Sequence, residues 1–242
     1  MAGLEFHQFA CLTDNYGVLV HDPVSGDTAS IDAPDAQAVE SALQEKGWTL
    51  THILVTHHHW DHTQGIDDLK AKTKCHVIGP KEEADKINTL DEVKTDGDRF
   101  TFGGENVDVI STPGHTLGMI NFHFTQSNVV FTGDTLFALG CGRIFEGDPE
   151  MMWNSLSKLA ELPPETIVYC GHEYTQANAK FSLSIEPDNK ALIKRASEID
   201  ALRSEGKPTL PTSIGLELET NVFLRAGNAA EFARIRAAKD NA

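Results

Sequence analysis

Four histidines and an aspartate fall within the six residues His57-His58-His59-Trp60-Asp61-His62. Neutral imidazoles and carboxylates are the donors that suit zinc, manganese or iron, and packing so many together is costly unless a cation holds them. Three later stretches, DVISTPGHTLG, VVFTGDTLF and IVYCGHEY, add His115, Asp134 and His172, each beside a glycine that permits tight turns and close backbone approach. The candidate metal ligands are therefore His57, His59, Asp61, His62, His115, Asp134 and His172. One ion does not need so many; two ions sharing a carboxylate do. The remaining histidines, His7, His21, His52, His58, His76 and His123, read as ordinary surface or core residues.

Two cations sharing a water can lower its pKa from about 15.7 toward about 7, which supplies a hydroxide nucleophile without a separate strong base. A carbonyl laid over one ion is polarised, and its developing oxyanion is stabilised. Asp61 can orient the nucleophile, and Asp61 and Asp134, the two carboxylates of the set, are the catalytic candidates. A thiolate leaves largely unprotonated, whereas an amine needs a proton donor. Apart from water or His58 the motifs offer no free acid, so a thioester fits them better than an amide.

Each ligand group closes a strand-like run: residues 51–56, 107–112, 129–132 and 166–170. Further runs of this kind cover 4–10, 17–21, 28–31, 76–78 and 119–124, and helical patterns cover 36–46, 65–72 and 150–161. In an extended segment alternate side chains share a face, so His57 and His59 point one way, His58 and Trp60 the other. After Tyr174 no convincing strand follows, and ANAKFSLSIEP, NKALIKRASEIDALRSEG and AAEFARIRAAK read as helices separated by Pro187 and Gly206-Lys207-Pro208. The chain is read as an α/β catalytic domain over 1–173 and a small helical domain over 174–242.

With 242 residues and 40% hydrophobic content the chain can bury a proper core. Its 20 basic and 36 acidic residues give a net charge of −16, which argues against a nucleic-acid surface and for a soluble, cytoplasmic protein that meets anions only through local basic patches. Cys11, Cys75, Cys141 and Cys170 are spread without a Cys-x-x-Cys pair and read as packing residues in a reducing compartment. No export signal and no membrane-spanning segment is expected from the N-terminal residues or from any apolar run.

The run His57, His59, Asp61, His62 resembles the His-x-His-x-Asp-His hallmark of the metallo-β-lactamase superfamily. That resemblance implies an αββα sandwich with the site at one edge. It assigns His57, His59 and His115 to one metal, Asp61, His62 and His172 to the other, and Asp134 between them. Within the superfamily the chain resembles the glyoxalase II family of hydroxyacylglutathione hydrolases over essentially its full length. The matching stretches include Asp14-Asn15-Tyr16, Thr112 to Thr116, Gly133 to Phe137, Gly140 to Arg143 with Glu146-Gly147, Gly171 to Tyr174, Asn221 to Arg225, and Arg236-x-x-Lys239.

The resemblance implies hydrolysis of S-lactoylglutathione to lactate and glutathione, the second step of methylglyoxal detoxification, by a monomer carrying two divalent ions. Zinc comes first among these ions, with iron or manganese as alternatives. It assigns glutathione binding to Arg143, Tyr174, Arg236 and Lys239, which suits a ligand with two carboxylates meeting an acidic chain. Phe145 departs from the family, which often has there a tyrosine whose hydroxyl helps bind glutathione. The alternative is a glutathione persulfide dioxygenase with one iron, whose family lacks a helical tail such as residues 175–242.

Overall fold

The computed structural model describes residues 3–87 and 89–242, in two compact units. The first comprises the described residues among 3–111 with 118–131, the second 112–117 with 132–242.

In the first unit, alternating apolar residues make a hairpin of β1 (Glu5–Cys11) and β2 (Asn15–His21), paired from Glu5↔His21 to Cys11↔Asn15. β3 (Thr28–Ile31) joins β2 antiparallel. The chain then crosses back through α1 (Ala36–Lys46), whose N-cap is Asp35 accepting from the Ala38 N–H and whose C-cap is Gly47 in the left-handed region. β4 (His52–Leu54) follows, then the single turn α2 (Trp60–Thr63), α3 (Ile66–Thr73), β5 (His76–Pro80) and β6 (Glu92–Lys94). Strands β3 to β6 are parallel, the pairing that helical crossovers allow. Val39, Ala42 and Leu43 of α1 and Ile66 and Leu69 of α3 are buried in one cluster with Ile53, Val55 and Val77 of the sheet.

The same unit carries a meander of β7 (Arg99–Phe102), β8 (Glu105–Ser111), β9 (Ile120–Phe124) and the start of β10 (Val129–Gly133), all antiparallel. Phe6 of β1 meets Phe131 of β10, and His52 of β4 meets the ring edge of Phe102 in β7. The two sheets thus face one another across an aromatic core, with helices on the outside of the first.

In the second unit a tight hairpin, β11 (Leu136–Phe137) and β12 (Gly140–Cys141), turns through Leu139 at φ 58°. There follow α4 (Pro149–Ala160), capped by Asp148 with proline at the first helical position, and β13 (Ile167–Cys170). Then come α5 (Thr175–Ile185), α6 (Lys190–Ser204), β14 (Thr212–Ser213), α7 (Ile214–Thr220) and α8 (Ala229–Asp240). Leu139 packs with Ala179 of α5 and Leu192, Ala196 and Ile199 of α6, and Phe232 of α8 with Trp153 of α4. Glu217 of α7 is fully buried, accepting from Arg195 at 2.5 Å, Thr212 Oγ1 at 2.6 Å, the Leu139 N–H at 2.8 Å and Asn221 at 3.0 Å.

β14 is a two-residue strand, too short to leave an alternating signature, and pairs antiparallel with β13 at Val168↔Thr212. The four cysteines are buried with free thiols. Burial pushes the Cys11 and Cys170 thiols up to about 12 and Cys141 up to about 11, and raises Cys75 as well. Among the described residues no helix is long and apolar enough to cross a membrane.

Candidate metal centre

The first unit delivers its donors at the C-terminal ends of two neighbouring parallel strands. β4 stops at Leu54, but Val55 stays extended through its N–H bond to the Ile78 carbonyl, so the chain reaches His57 in register with the sheet. β3 is followed directly by Asp32, whose carboxylate is 4% exposed and accepts from the Thr56 N–H at 2.7 Å, Thr56 Oγ1 at 2.8 Å and His62 Nδ1 at 2.7 Å. Asp32 lies in the left-handed region at φ 55°, a conformation that costs a non-glycine residue on the order of 1 kcal/mol and is retained here because three bonds fix it.

These bonds determine which imidazole nitrogens keep a lone pair. His62 donates through Nδ1 to Asp32, which leaves its Nε2 as a ligand atom, 3.8 Å from Asp61 Oδ2. Thr56 Oγ1 gives its proton to Asp32 and so accepts from His57 Nδ1 at 3.0 Å, which leaves His57 Nε2 as the ligand atom, 3.2 Å from His59 Nδ1. Asp32, His57 and His62 place ligand-capable atoms within 4.8 Å of one another. Asn15, at the start of β2, donates to both Asp61 Oδ2 and the Asp61 carbonyl at 3.2 Å, which fixes the aspartate.

The alternation expected of the histidine run holds for His58, whereas Trp60 already begins the helical turn α2. His58 turns away to Glu83, which is 1% exposed and accepts the His58 N–H at 2.6 Å, His58 Nδ1 at 2.9 Å and the Gly118 N–H at 3.1 Å. A side chain at Gly118 would meet Glu83 Cγ at 2.4 Å, so only glycine lets that carboxylate approach. Trp60 points to solvent.

The second unit repeats the logic. His115 donates through Nδ1 to the Arg143 carbonyl at 2.9 Å, so its Nε2 carries the lone pair, 3.4 Å from Asp134 Oδ2. His172 Nε2 reaches the same oxygen at 3.3 Å, and all three residues are buried. An unprotonated ring nitrogen aimed at a carboxylate oxygen is repulsive unless a cation sits among them, so this donor set fits a divalent metal. Gly142 makes the packing possible: a Cβ there would lie 2.0 Å from the Asp134 carbonyl oxygen and 3.1 Å from His115 Nδ1.

The residues expected to hold glutathione all lie in the second unit. Tyr174 stacks on His172, ring centroids 4.7 Å apart and planes within 3°. The Arg143 side chain is 64% exposed. Arg236 is 6% exposed, donates to the Cys141 carbonyl at 3.1 Å and to Asp240 at 2.7 Å, and lies over the Phe223 ring. Lys239 lies over Phe181 and donates to the Ala177 carbonyl, and burial together with Arg236 pulls its ammonium below the usual lysine range. Phe145 is exposed and meets the His115 ring edge-on at 5.3 Å.

Sequence reading passed over Asp32 and Glu83, and named Asn15 only within a matching stretch, with no role. Asp32 carried the same signal as the ligands, an acidic residue directly after a strand, and was visible on that ground. Because Asp32 orients His62 and, through Thr56, His57, Asp32→Ala is expected to lower metal affinity about 10- to 100-fold. A competitive chelator titration checks this, and an unchanged affinity would remove Asp32 from the centre.

Residues 12–172 match the sequence profile described as the metallo-beta-lactamase superfamily, and residues 173–242 that of the hydroxyacylglutathione hydrolase C-terminus. A Brucella anthropi protein named hydroxyacylglutathione hydrolase is 55% identical over 251 aligned positions, covering 98% of this chain and 96% of its own. Its namesake from Brucella ovis is 54% identical, covering 98% of both. Among solved structures, ETHE1 from Myxococcus xanthus aligns with a TM-score of 0.74 at 28% identity over 96% of this chain and 90% of that one. The BLEG-1 B3 metallo-beta-lactamase aligns at 0.70 and 23% identity, over 91% and 99%, a likeness of fold.

Proposed function

The chain belongs to the metallo-beta-lactamase superfamily and, within it, to the hydroxyacylglutathione hydrolases, and from that membership we propose that it hydrolyses S-(2-hydroxyacyl)glutathione thioesters, S-lactoylglutathione first, to the hydroxy acid and glutathione. The observation that carries this reading is the match of residues 173–242 to the hydroxyacylglutathione hydrolase C-terminus, since the ligand motif alone serves many chemistries. The same match weighs against the persulfide dioxygenase alternative. In the proposed organisation residues 1–173 form the catalytic domain and 174–242 the glutathione-binding one. The protein acts as a cytoplasmic monomer in the second step of methylglyoxal detoxification, engaging neither nucleic acid nor membrane.

The histidine and aspartate clusters bind divalent metal. We propose two ions, zinc first and iron or manganese otherwise, one held by His57, His59 and His115, the other by Asp61, His62 and His172, with Asp134 shared. When bound, such ions supply an acidified water as nucleophile and Lewis-acid polarisation of the thioester carbonyl. Asp61, steadied by Asn15, orients the attacking water. Asp134 supplies the negative charge that offsets the ions.

His58 is held by Glu83 through its backbone N–H and Nδ1, a role in fixing the loop rather than in protonating a leaving group. A glutathione thiolate needs no such proton, whereas an amide nitrogen does. Arg143, Arg236 and Lys239 meet the glutathione carboxylates, and Tyr174, stacked on His172, lines the approach. Phe145 offers no hydroxyl at its position and gives only ring contact.

The metal-loaded protein is expected to release thiol rapidly from S-lactoylglutathione, followed with a thiol-reactive dye, and His57→Ala is expected to abolish the release. Bound metal without thiol release would overturn the reading, and oxygen uptake with glutathione persulfide would then replace it.

A further inference from the structure

Around Asp240, at the C-terminal turn of α8, three cations gather on a chain whose net charge is −16. Asp240 Oδ1 accepts from Arg236 Nη2 at 2.7 Å and lies 3.7 Å from Arg143 Nε, and Lys239 is its sequence neighbour. Arg236 is almost fully buried, yet its Nε–H has no hydrogen-bond partner among the described residues. A buried guanidinium donor left without an acceptor is costly, and a planar carboxylate is the ligand that fills it together with a neighbouring N–H. Arg143, in turn, has its guanidinium largely in solvent and touches Asp240 only at the edge of ion-pair range.

Asp240 is also poorly placed for the helix that carries it. A negative charge in the last turn opposes the helix dipole, so what keeps its carboxylate inward is the arginine pair and not α8. At 40% exposure the pair with Arg236 is screened and its carboxylate can swing out at small cost.

We infer that Asp240 is a built-in stand-in for a substrate carboxylate: in the free enzyme it occupies Arg143 and Arg236, and the incoming glutathione carboxylate displaces it. The inference rests on the glutathione reading above. Asp240 is thus a positioning and specificity residue. It keeps the two arginines aligned for a carboxylate, and raises the cost of binding only for a ligand whose own carboxylate must displace it.

The test compares the metal-loaded parent, Asp240→Asn and Asp240→Glu on two thioesters, S-lactoylglutathione and S-lactoyl-N-acetylcysteamine, whose thiol part has no carboxylate. Asp240→Asn should lower KM for the glutathione thioester about three- to fivefold at unchanged kcat, leave the cysteamine thioester unaffected, and be reversed by Asp240→Glu. A KM that stays the same or rises in Asp240→Asn, with the parent still preferring the glutathione thioester, overturns the displacement alone and makes Asp240 a structural brace. A parent with no preference between the two thioesters overturns the glutathione reading, and the inference with it.

Discussion

Asp134→Ala is expected to fold, to carry almost no metal and to release no measurable thiol. Its Oδ2 is the point on which His115 Nε2 and His172 Nε2 converge at 3.4 and 3.3 Å, and it is the one anion in that buried group of the second unit. Without it two neutral imidazoles remain, with no negative charge to offset a dication. The loss in affinity should exceed the roughly 10- to 100-fold typical of residues that only orient ligands. The fold should survive, because the backbone around the position is held independently, by Thr135 N–H to the Thr132 carbonyl at 2.9 Å and Gly171 N–H to the Gly133 carbonyl at 2.9 Å. Elemental analysis of the purified variant beside its circular dichroism decides the matter. A folded variant with normal metal content would sink the shared-ligand role.

Glu217→Ala should produce the largest loss of stability, about 3–5 kcal/mol, because it strands a buried guanidinium. Both Oε atoms are spent: Oε1 on Arg195 and Thr212, Oε2 on the Leu139 N–H and Asn221. Of these, Leu139 matters beyond stability. It turns the β11–β12 hairpin at φ 58°, and that hairpin leads directly into Cys141, Gly142 and Arg143. Loosening it therefore loosens the carbonyl of Arg143 that fixes the His115 tautomer. Melting of the variant should fall by roughly 10 °C with metal affinity reduced. A double variant with apolar residues at 195 and 217 should regain much of the melting temperature, since well-packed apolar groups often replace a buried ion pair without loss. A single variant that melts within about 2 °C of the parent would show the network to be dispensable.

Much of the architecture was legible because it obeys simple periods. β3 at Thr28–Ile31 and α1 at Ala36–Lys46 fall where alternation and four-residue spacing put them, and α1 is bounded by a capping aspartate and a left-handed glycine. The metal-ligand candidates were legible because each group follows a strand and three of the seven sit beside a glycine.

What escaped has a physical reason too. β6, β7 and β14 are short and partly exposed, so burial writes little pattern into them. The roles of Glu83 and Asn15 lie on partners 25 and 46 positions away, and no local spacing encodes such distances. Arg236 also reads differently in three dimensions: on sequence its helix face could be solvated, yet Phe223, Cys141 and Asp240 enclose it.

The buried cysteines carry a consequence for the chemical surroundings of such a protein. An enzyme that liberates glutathione works in a bath of thiols and their disulfides, and exchange with that bath requires an accessible thiolate. With Cys11 and Cys170 pushed up to about 12 and Cys141 to about 11 by burial, almost no thiolate exists at neutral pH, and none of the four sulfurs is exposed. Glutathione disulfide formed from the product therefore meets no protein thiolate to attack it, and no mixed disulfide forms on these four cysteines.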